Sequence, residues 1–232
     1  MSCLAIIPAR GGSKRIPRKN IRDFLGKPII AYSIEAALAS DIFEEVMVST
    51  DDGEIADTAK EYKAAAPFFR SAETSSDTAD TVSVLIEVLA NYAKHGKYFE
   101  FICCIFPCAP FVTAERLREG MEKLITLKAD SVFPVVKFSY PPQRCLVIRN
   151  SRVEMLHPAN YNARSQDLEP LFHDAGQFYF IRSETLQTER KVFCANSLPI
   201  ILPENEVQDI DTEDDWKAAE IKYQMIRISK SK

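Results

Sequence analysis

No stretch of these 232 residues stays apolar for the roughly 20 positions a membrane-spanning helix needs, because charge or proline interrupts each run first. That excludes a transmembrane class, and no membrane partner is expected. Segment 1–8 has no basic region ahead of its apolar stretch and runs directly into Arg10. It therefore reads as a first strand rather than a signal peptide, and a cytoplasmic location is expected. Six cysteines, at positions 3, 103, 104, 108, 145 and 194, include no C-x-x-C pair and no Cys/His zinc spacing, so buried reduced thiols are expected. Positive charge is not in excess: a net charge of −4 and a pI near 5.5 exclude a general nucleic-acid-binding surface but leave room for a local basic cluster. There is no internal repeat and no low-complexity segment.

What is there is enough chain for one sizeable domain, 1–232, with a single core. Apolar runs rich in β-branched and aromatic residues, at 3–8, 45–50, 65–69, 99–106 and 131–136, alternate with segments of helical period at 28–39, 53–62, 81–94 and 113–127. Such alternation predicts a mostly parallel sheet covered by helices. Around 141–170 prolines and arginines break the pattern, and an extended arm is expected over 138–172. Strands resume at 177–181 and 200–202. A last helix starts at Thr212, with Asp215 placed as in a capping box, and runs to about residue 227; the tail 229–232 is expected to fray.

The stretch from Pro8 to Asn20 carries five cations, Arg10, Lys14, Arg15, Arg18 and Lys19, and two adjacent glycines, Gly11 and Gly12, directly after the first predicted strand. Loops at the carboxyl ends of parallel strands form the ligand crevice. Glycine lets backbone N–H groups approach an anion, and Lys and Arg orient phosphate oxygens, so the expected ligand is a polyphosphate. The spacing is neither a Walker A sequence nor G-x-G-x-x-G. By composition alone the cluster would serve equally as a solvated basic loop, and its position after the strand argues against that.

Near the other end, Asp209 and Asp211 flank Ile210 in an extended segment, so both carboxylates face one side and the isoleucine the other. A hard cation takes one or two carboxylates plus phosphate oxygens, which suits this pair opposite a phosphate loop. Acids ahead of a helix are also favoured by its macrodipole, so Asp-x-Asp by itself is weak.

Together these residues resemble the CMP-sialic acid synthetase (acylneuraminate cytidylyltransferase) family, whose opening motif A-R-x-x-S-K-x-x-P-x-K-N is met here by Ala9, Arg10, Ser13, Lys14, Pro17, Lys19 and Asn20. The resemblance continues through residues 48–51, Arg70, 76–79, 106–110, Gly176 with Tyr179, and 209–212. Within the family, segments 160–167 and 173–179 look like the branch acting on pseudaminic acid. Phe106 stands where the sialic acid branch carries glutamine, which should make the sugar pocket apolar there; Phe106 would alternatively just end the buried strand.

The resemblance implies a three-layer α/β/α, Rossmann-like nucleotide-diphospho-sugar transferase fold with a mostly parallel mixed sheet and a dimerisation arm. It implies CMP transfer from CTP to the anomeric hydroxyl of a nonulosonic acid sugar, with Mg²⁺ on Asp209 and Asp211. Arg10, Gly11, Gly12, Ser13, Lys14, Lys19, Asn20, Arg70 and Thr81 would bind nucleotide, and Lys19, Arg10 and Asp211 would be catalytic. Phe106, Arg164, His173, Gln177 and Tyr179 would bind the sugar, with Arg164 arriving across a homodimer interface. Each has a plainer alternative: Asn20 as a turn residue, Arg70 as a surface cation, Thr81 as a helix cap, His173 as a packed histidine. Rival readings are a sister enzyme using N-acetylneuraminic, legionaminic or 3-deoxy-octulosonic acid, and a non-catalytic nucleotide- or RNA-binding protein.

Overall fold

The computed structural model describes residues 2–76 and 78–230; Asp77 and the last tail residues, 231–232, lie outside them. In chain order the elements are β1 (Cys3–Pro8), a small hairpin of β2 (Asp23–Phe24) and β3 (Lys27–Pro28), α1 (Ile29–Ser40), β4 (Glu45–Ser49), α2 (Gly53–Glu61) and α3 (Thr81–Lys94). There follow β5 (Phe101–Ile105), α4 (Ala114–Thr126), β6 (Ser131–Lys137), the arm hairpin β7 (Leu146–Arg149) and β8 (Arg152–Met155), and β9 (Phe172–Asp174). The chain closes with β10 (Phe178–Arg182), α5 (Ser183–Glu189), β11 (Ser197–Leu202) and α6 (Glu213–Lys230).

The main sheet has the order β11-β6-β10-β5-β1-β4, with β9 paired to β6. Strands β4, β1, β5, β6 and β11 run one way, and β10 and β9 run against them. Strand period explains the layers. Cys3, Ala5 and Ile7 of β1 face a core shared with α1, α2 and α4, while Leu4 and Ile6 face one shared with α3 and α5. The sheet is thus covered on both faces, as its near-continuous apolar strands require.

A third buried cluster lies at the carboxyl edge of the sheet. Ile16 from the basic loop, Phe24, Ile29, Tyr32 and Phe111 pack there against Ile210, Trp216 and Ala219 of the C-terminal segment. Burying a side chain such as Ile16 or Ile210 contributes about 1.5–3 kcal/mol, which holds the two ends of the chain together.

The expected strand at 65–69 is reduced to two isolated bridges, Met47 with Ala65 and Thr50 with Phe69. Pro67 lies between them and has no N–H for the ladder. The arm at 138–172 contains the β7–β8 hairpin and three short 3₁₀ turns, with Leu146, Ile148 and Val153 exposed. All six cysteines are free. Among the described residues no helix is long and apolar enough to cross a membrane.

Candidate active site

The loop after β1 is fixed from three directions. The Ala9 amide extends the pairing of β1 with β4 by donating to the Ser49 carbonyl (2.9 Å). The Gly11 amide donates to Asp51 Oδ1 (2.9 Å), and a Cβ on Gly11 would lie 2.6 Å from Asp52 Oδ2, so only glycine fits this approach. Arg18, in the left-handed region at φ 54°, is bound by Asp52 (2.5 and 3.0 Å) and Glu54 (2.5 Å) at the start of α2. The Arg18 hydrogen bond holds the Asp52 carboxyl below its ordinary value. This arginine anchors the loop.

Asn20 is buried and ties the loop to its neighbours. Its Nδ2 donates to the Arg10 carbonyl (2.9 Å), and its Oδ1 accepts from the Cys108 thiol (3.2 Å). Burial pushes the Cys108 thiol up to about 12, with nearby Lys19 opposing and Asp209 and Asp211 reinforcing the rise, so it is a protonated donor and not a nucleophile. Arg10 donates to the Ser76 carbonyl (3.1 Å). Arg10, Ser13, Lys14, Arg15, Lys19 and Asn20 line a cavity of about 510 Å³, and Asp211 lines it too.

Loop and carboxylate segment therefore meet. Ile210 is buried with Ile16, which turns the flanking aspartates outward as the alternation of extended backbone predicts. Lys19 Nζ donates to the Ile210 carbonyl (2.5 Å) and lies 3.8 Å from Asp211 Oδ1, which accepts from Arg15 (2.8 Å). The segment is held by the start of α6. Asp215 Oδ2 accepts from the amides of Asp211 (3.1 Å) and Thr212 (2.8 Å), and the Asp215 amide donates to Thr212 Oγ1 (3.2 Å), the reciprocal capping box.

Asp209 lines a second cavity of about 350 Å³ at the end of β6, together with His173, Asp174, Gly176, Lys137 and Lys222. Asp209 and Asp211, two positions apart, thus line one cavity each. Among the described residues no group of three or more His, Cys, Asp or Glu side chains is arranged to hold a metal. Two carboxylates two positions apart, one of them on the wall of the basic cavity, are the donor type a hard cation takes when its other ligands come from water or an anion.

Of the residues expected to bind the sugar, only His173 lines the second cavity, with its Nδ1 2.9 Å from the Asp174 carbonyl. Tyr179 is buried and its hydroxyl donates to Asp174 Oδ2 (2.5 Å), while Phe106 packs on its ring at 5.5 Å. Gln177 is buried and donates to the Glu206 carbonyl (2.6 Å). Arg164 lies in the arm and pairs with Asp167 (2.7 Å). Arg70 donates to the Ser49 carbonyl (2.6 Å) at the end of β4, and Thr81 is the first residue of α3, which Asp80 caps. Asp51, Asp52, Cys108 and Asp174 were not singled out individually as site residues. Asp51 lay within the 48–51 resemblance, but sequence does not reveal which backbone amide a carboxylate accepts from.

This edge of the sheet carries a cavity lined by four cations and a smaller one of mixed lining, with the Asp-x-Asp segment contributing to each, an arrangement that suits an α/β group-transferring enzyme. A solved structure of CMP:2-keto-3-deoxy-manno-octonic acid synthetase complexed with CTP shares the fold, with a TM-score of 0.69 and 18% identity over 98% of this chain and 99% of that one. A family model described as cytidylyltransferase matches residues 4–213, from β1 through the Asp211 segment, and the chain belongs to that family. It is 43% identical to the pseudaminic acid cytidylyltransferase of Campylobacter jejuni over 97% of both chains. It is 34% identical to the CMP-N,N'-diacetyllegionaminic acid synthase of Legionella pneumophila over 95% of both.

Proposed function

We propose that this protein transfers CMP from CTP to the anomeric hydroxyl of pseudaminic acid, giving CMP-pseudaminic acid and pyrophosphate. The observation that carries this reading is the Asp-x-Asp segment lining one cavity with Asp209 and the basic-loop cavity with Asp211, in a cytidylyltransferase similar to the Campylobacter jejuni enzyme over 97% of both chains.

The triphosphate occupies the larger cavity, where Arg10, Ser13, Lys14 and Lys19 receive its oxygens. The Gly11 amide is already given to Asp51 and shapes the loop, which leaves the Gly12 amide to face the anion. The sugar hydroxyl attacks the α-phosphorus in line; the new O–P bond forms as the bond to pyrophosphate breaks. Positioning and charge neutralisation supply the rate, and Lys19 bears on the charge that develops in the transition state. Arg70 and Thr81 serve the nucleoside end, and Asn20 keeps the loop in shape.

Asp209 and Asp211 would hold Mg²⁺, for which Asp211 must release Arg15. When bound, the ion supplies Lewis-acid charge at the phosphate oxygens. Two copies pair through the arm, Arg164 reaches the acceptor's carboxylate across that interface, and the enzyme works in the cytoplasm.

The test is pyrophosphate release with CTP and Mg²⁺ against a panel of pseudaminic, legionaminic, N-acetylneuraminic and 3-deoxy-octulosonic acids. Pseudaminic acid is expected to give the highest kcat/KM. A preference for any other member overturns the choice of acceptor.

A further inference from the structure

β9 and β10 run in the same direction along β6, and between Asp174, paired with Val135, and Phe180, paired with Val132, five residues stand against two, so the chain bulges there. Gly176, at φ 63°, takes the left-handed turn, and Asp174 Oδ1 closes it by accepting from the Gly176 amide (2.9 Å). Three residues further, Tyr179 is held among Phe106, Phe133 and Phe193, with ring centroids 5.5, 5.9 and 6.2 Å away, so its hydroxyl reaches Asp174 Oδ2 from a fixed position. Burial, and after it the hydrogen bond to Asp174, pushes the Tyr179 phenol far above its ordinary range, so it remains a donor.

Each carboxylate oxygen of Asp174 thus has one donor. An ionised carboxylate offers about four acceptor sites, so about two are left. Asp174 lines the second cavity, and among the described residues its carboxylate forms no ion pair. A charged acceptor locked on the wall of a cavity favours a ligand that brings neutral N–H or O–H donors to it and disfavours one that brings an anion. Asp209 lines the same cavity, so a molecule held against Asp174 lies beside the phosphate cavity that Asp211 lines.

We propose that Asp174 is an acceptor-specificity residue: its carboxylate accepts hydrogen bonds from the acylamino N–H or hydroxyl groups of the sugar, turns the sugar's own carboxylate away, and is positioned by Tyr179. This rests on the reading that a nonulosonic acid occupies the second cavity.

Asp174→Asn keeps the shape and one carbonyl oxygen for the turn, but presents N–H groups where the sugar's donors arrive. Initial rates of pyrophosphate release are measured with the acceptor the wild-type enzyme prefers and with CTP, each varied in turn. The acceptor KM is expected to rise about tenfold or more, with the CTP KM within about twofold of wild type. Replacing the sugar's acylamino group by hydrogen should penalise the wild type and leave the variant nearly unaffected. An unchanged acceptor KM, or a parallel rise of both KM values, overturns the proposal. If Asp174→Asn does not fold, Tyr179→Phe decides by the same split, with a several-fold rise in acceptor KM expected. Failure of the functional reading looks different: the wild-type protein then turns over no sugar of the panel, and the proposal falls with it.

Discussion

Lys19 belongs to the loop after the first strand, yet its ammonium sits on the Ile210 carbonyl, 191 positions further along the chain, and near Asp211. On the proposed reading such a cation would serve charge developing on the phosphates more than ground-state affinity, so Lys19→Ala should lower kcat on the order of 100-fold with a smaller change in the CTP KM. An effect confined to KM would assign Lys19 to ordinary binding. Asp211→Asn removes a charge without changing size. Turnover should fall about 100-fold, with partial recovery as Mg²⁺ is raised and with unchanged circular dichroism; near-normal kcat would refute the metal assignment. At this scale the meeting of the loop motif with the Asp211 segment was legible, whereas the Asp-x-Asp pair, expected to face the loop together, puts Asp211 on the loop cavity and Asp209 on the other. The ion pairing of Arg18 and the two donors on Asp174 were not legible, since both depend on partners that only the folded chain supplies.

Among the elements, those with a strong period or a cap were readable: α3 spans 81–94 as expected, and Thr212 and Asp215 form the box their spacing announces. Strand direction was not, because side-chain alternation is the same in either sense, and β10 lies antiparallel between β5 and β6. The seven-residue α5 and three-residue β9 are too short to leave a period. Thr212→Ala should cost about 1 kcal/mol, which is about 2–4 °C in Tm for a chain of this size. Its pH dependence follows from Asp215, whose carboxyl is held below its ordinary value by the Thr212 hydroxyl and the amides of Thr212 and Asp211. A carboxyl lowered by folding stabilises above its unfolded value, near 3.9, and loses that contribution as pH falls through the folded value. The Tm gap between wild type and Thr212→Ala should therefore narrow below about pH 4, and a gap constant down to pH 2 would contradict the linkage.

For the molecule as a whole, a covered, mostly parallel sheet was legible from alternation alone, whereas the third apolar cluster joins segments too far apart in sequence for any pattern to link. The arm was visible as a break in periodicity. Its hairpin exposes Ile148 at 78% and Val153 at 64%, apolar surface that suits burial against a second copy. If two copies complete each site, Ile148→Glu with Val153→Glu should shift sedimentation from dimer to monomer and abolish activity while the fold persists; a fully active monomer would sink the idea.

The packing of Ile16 against Ile210 and Trp216 also bears on how the protein is made. The basic loop is translated well before the carboxylates it faces and the helix that pins them. A nascent chain therefore holds the loop through some 190 residues of further synthesis, and Ile16 finds its apolar partners only after that helix has emerged.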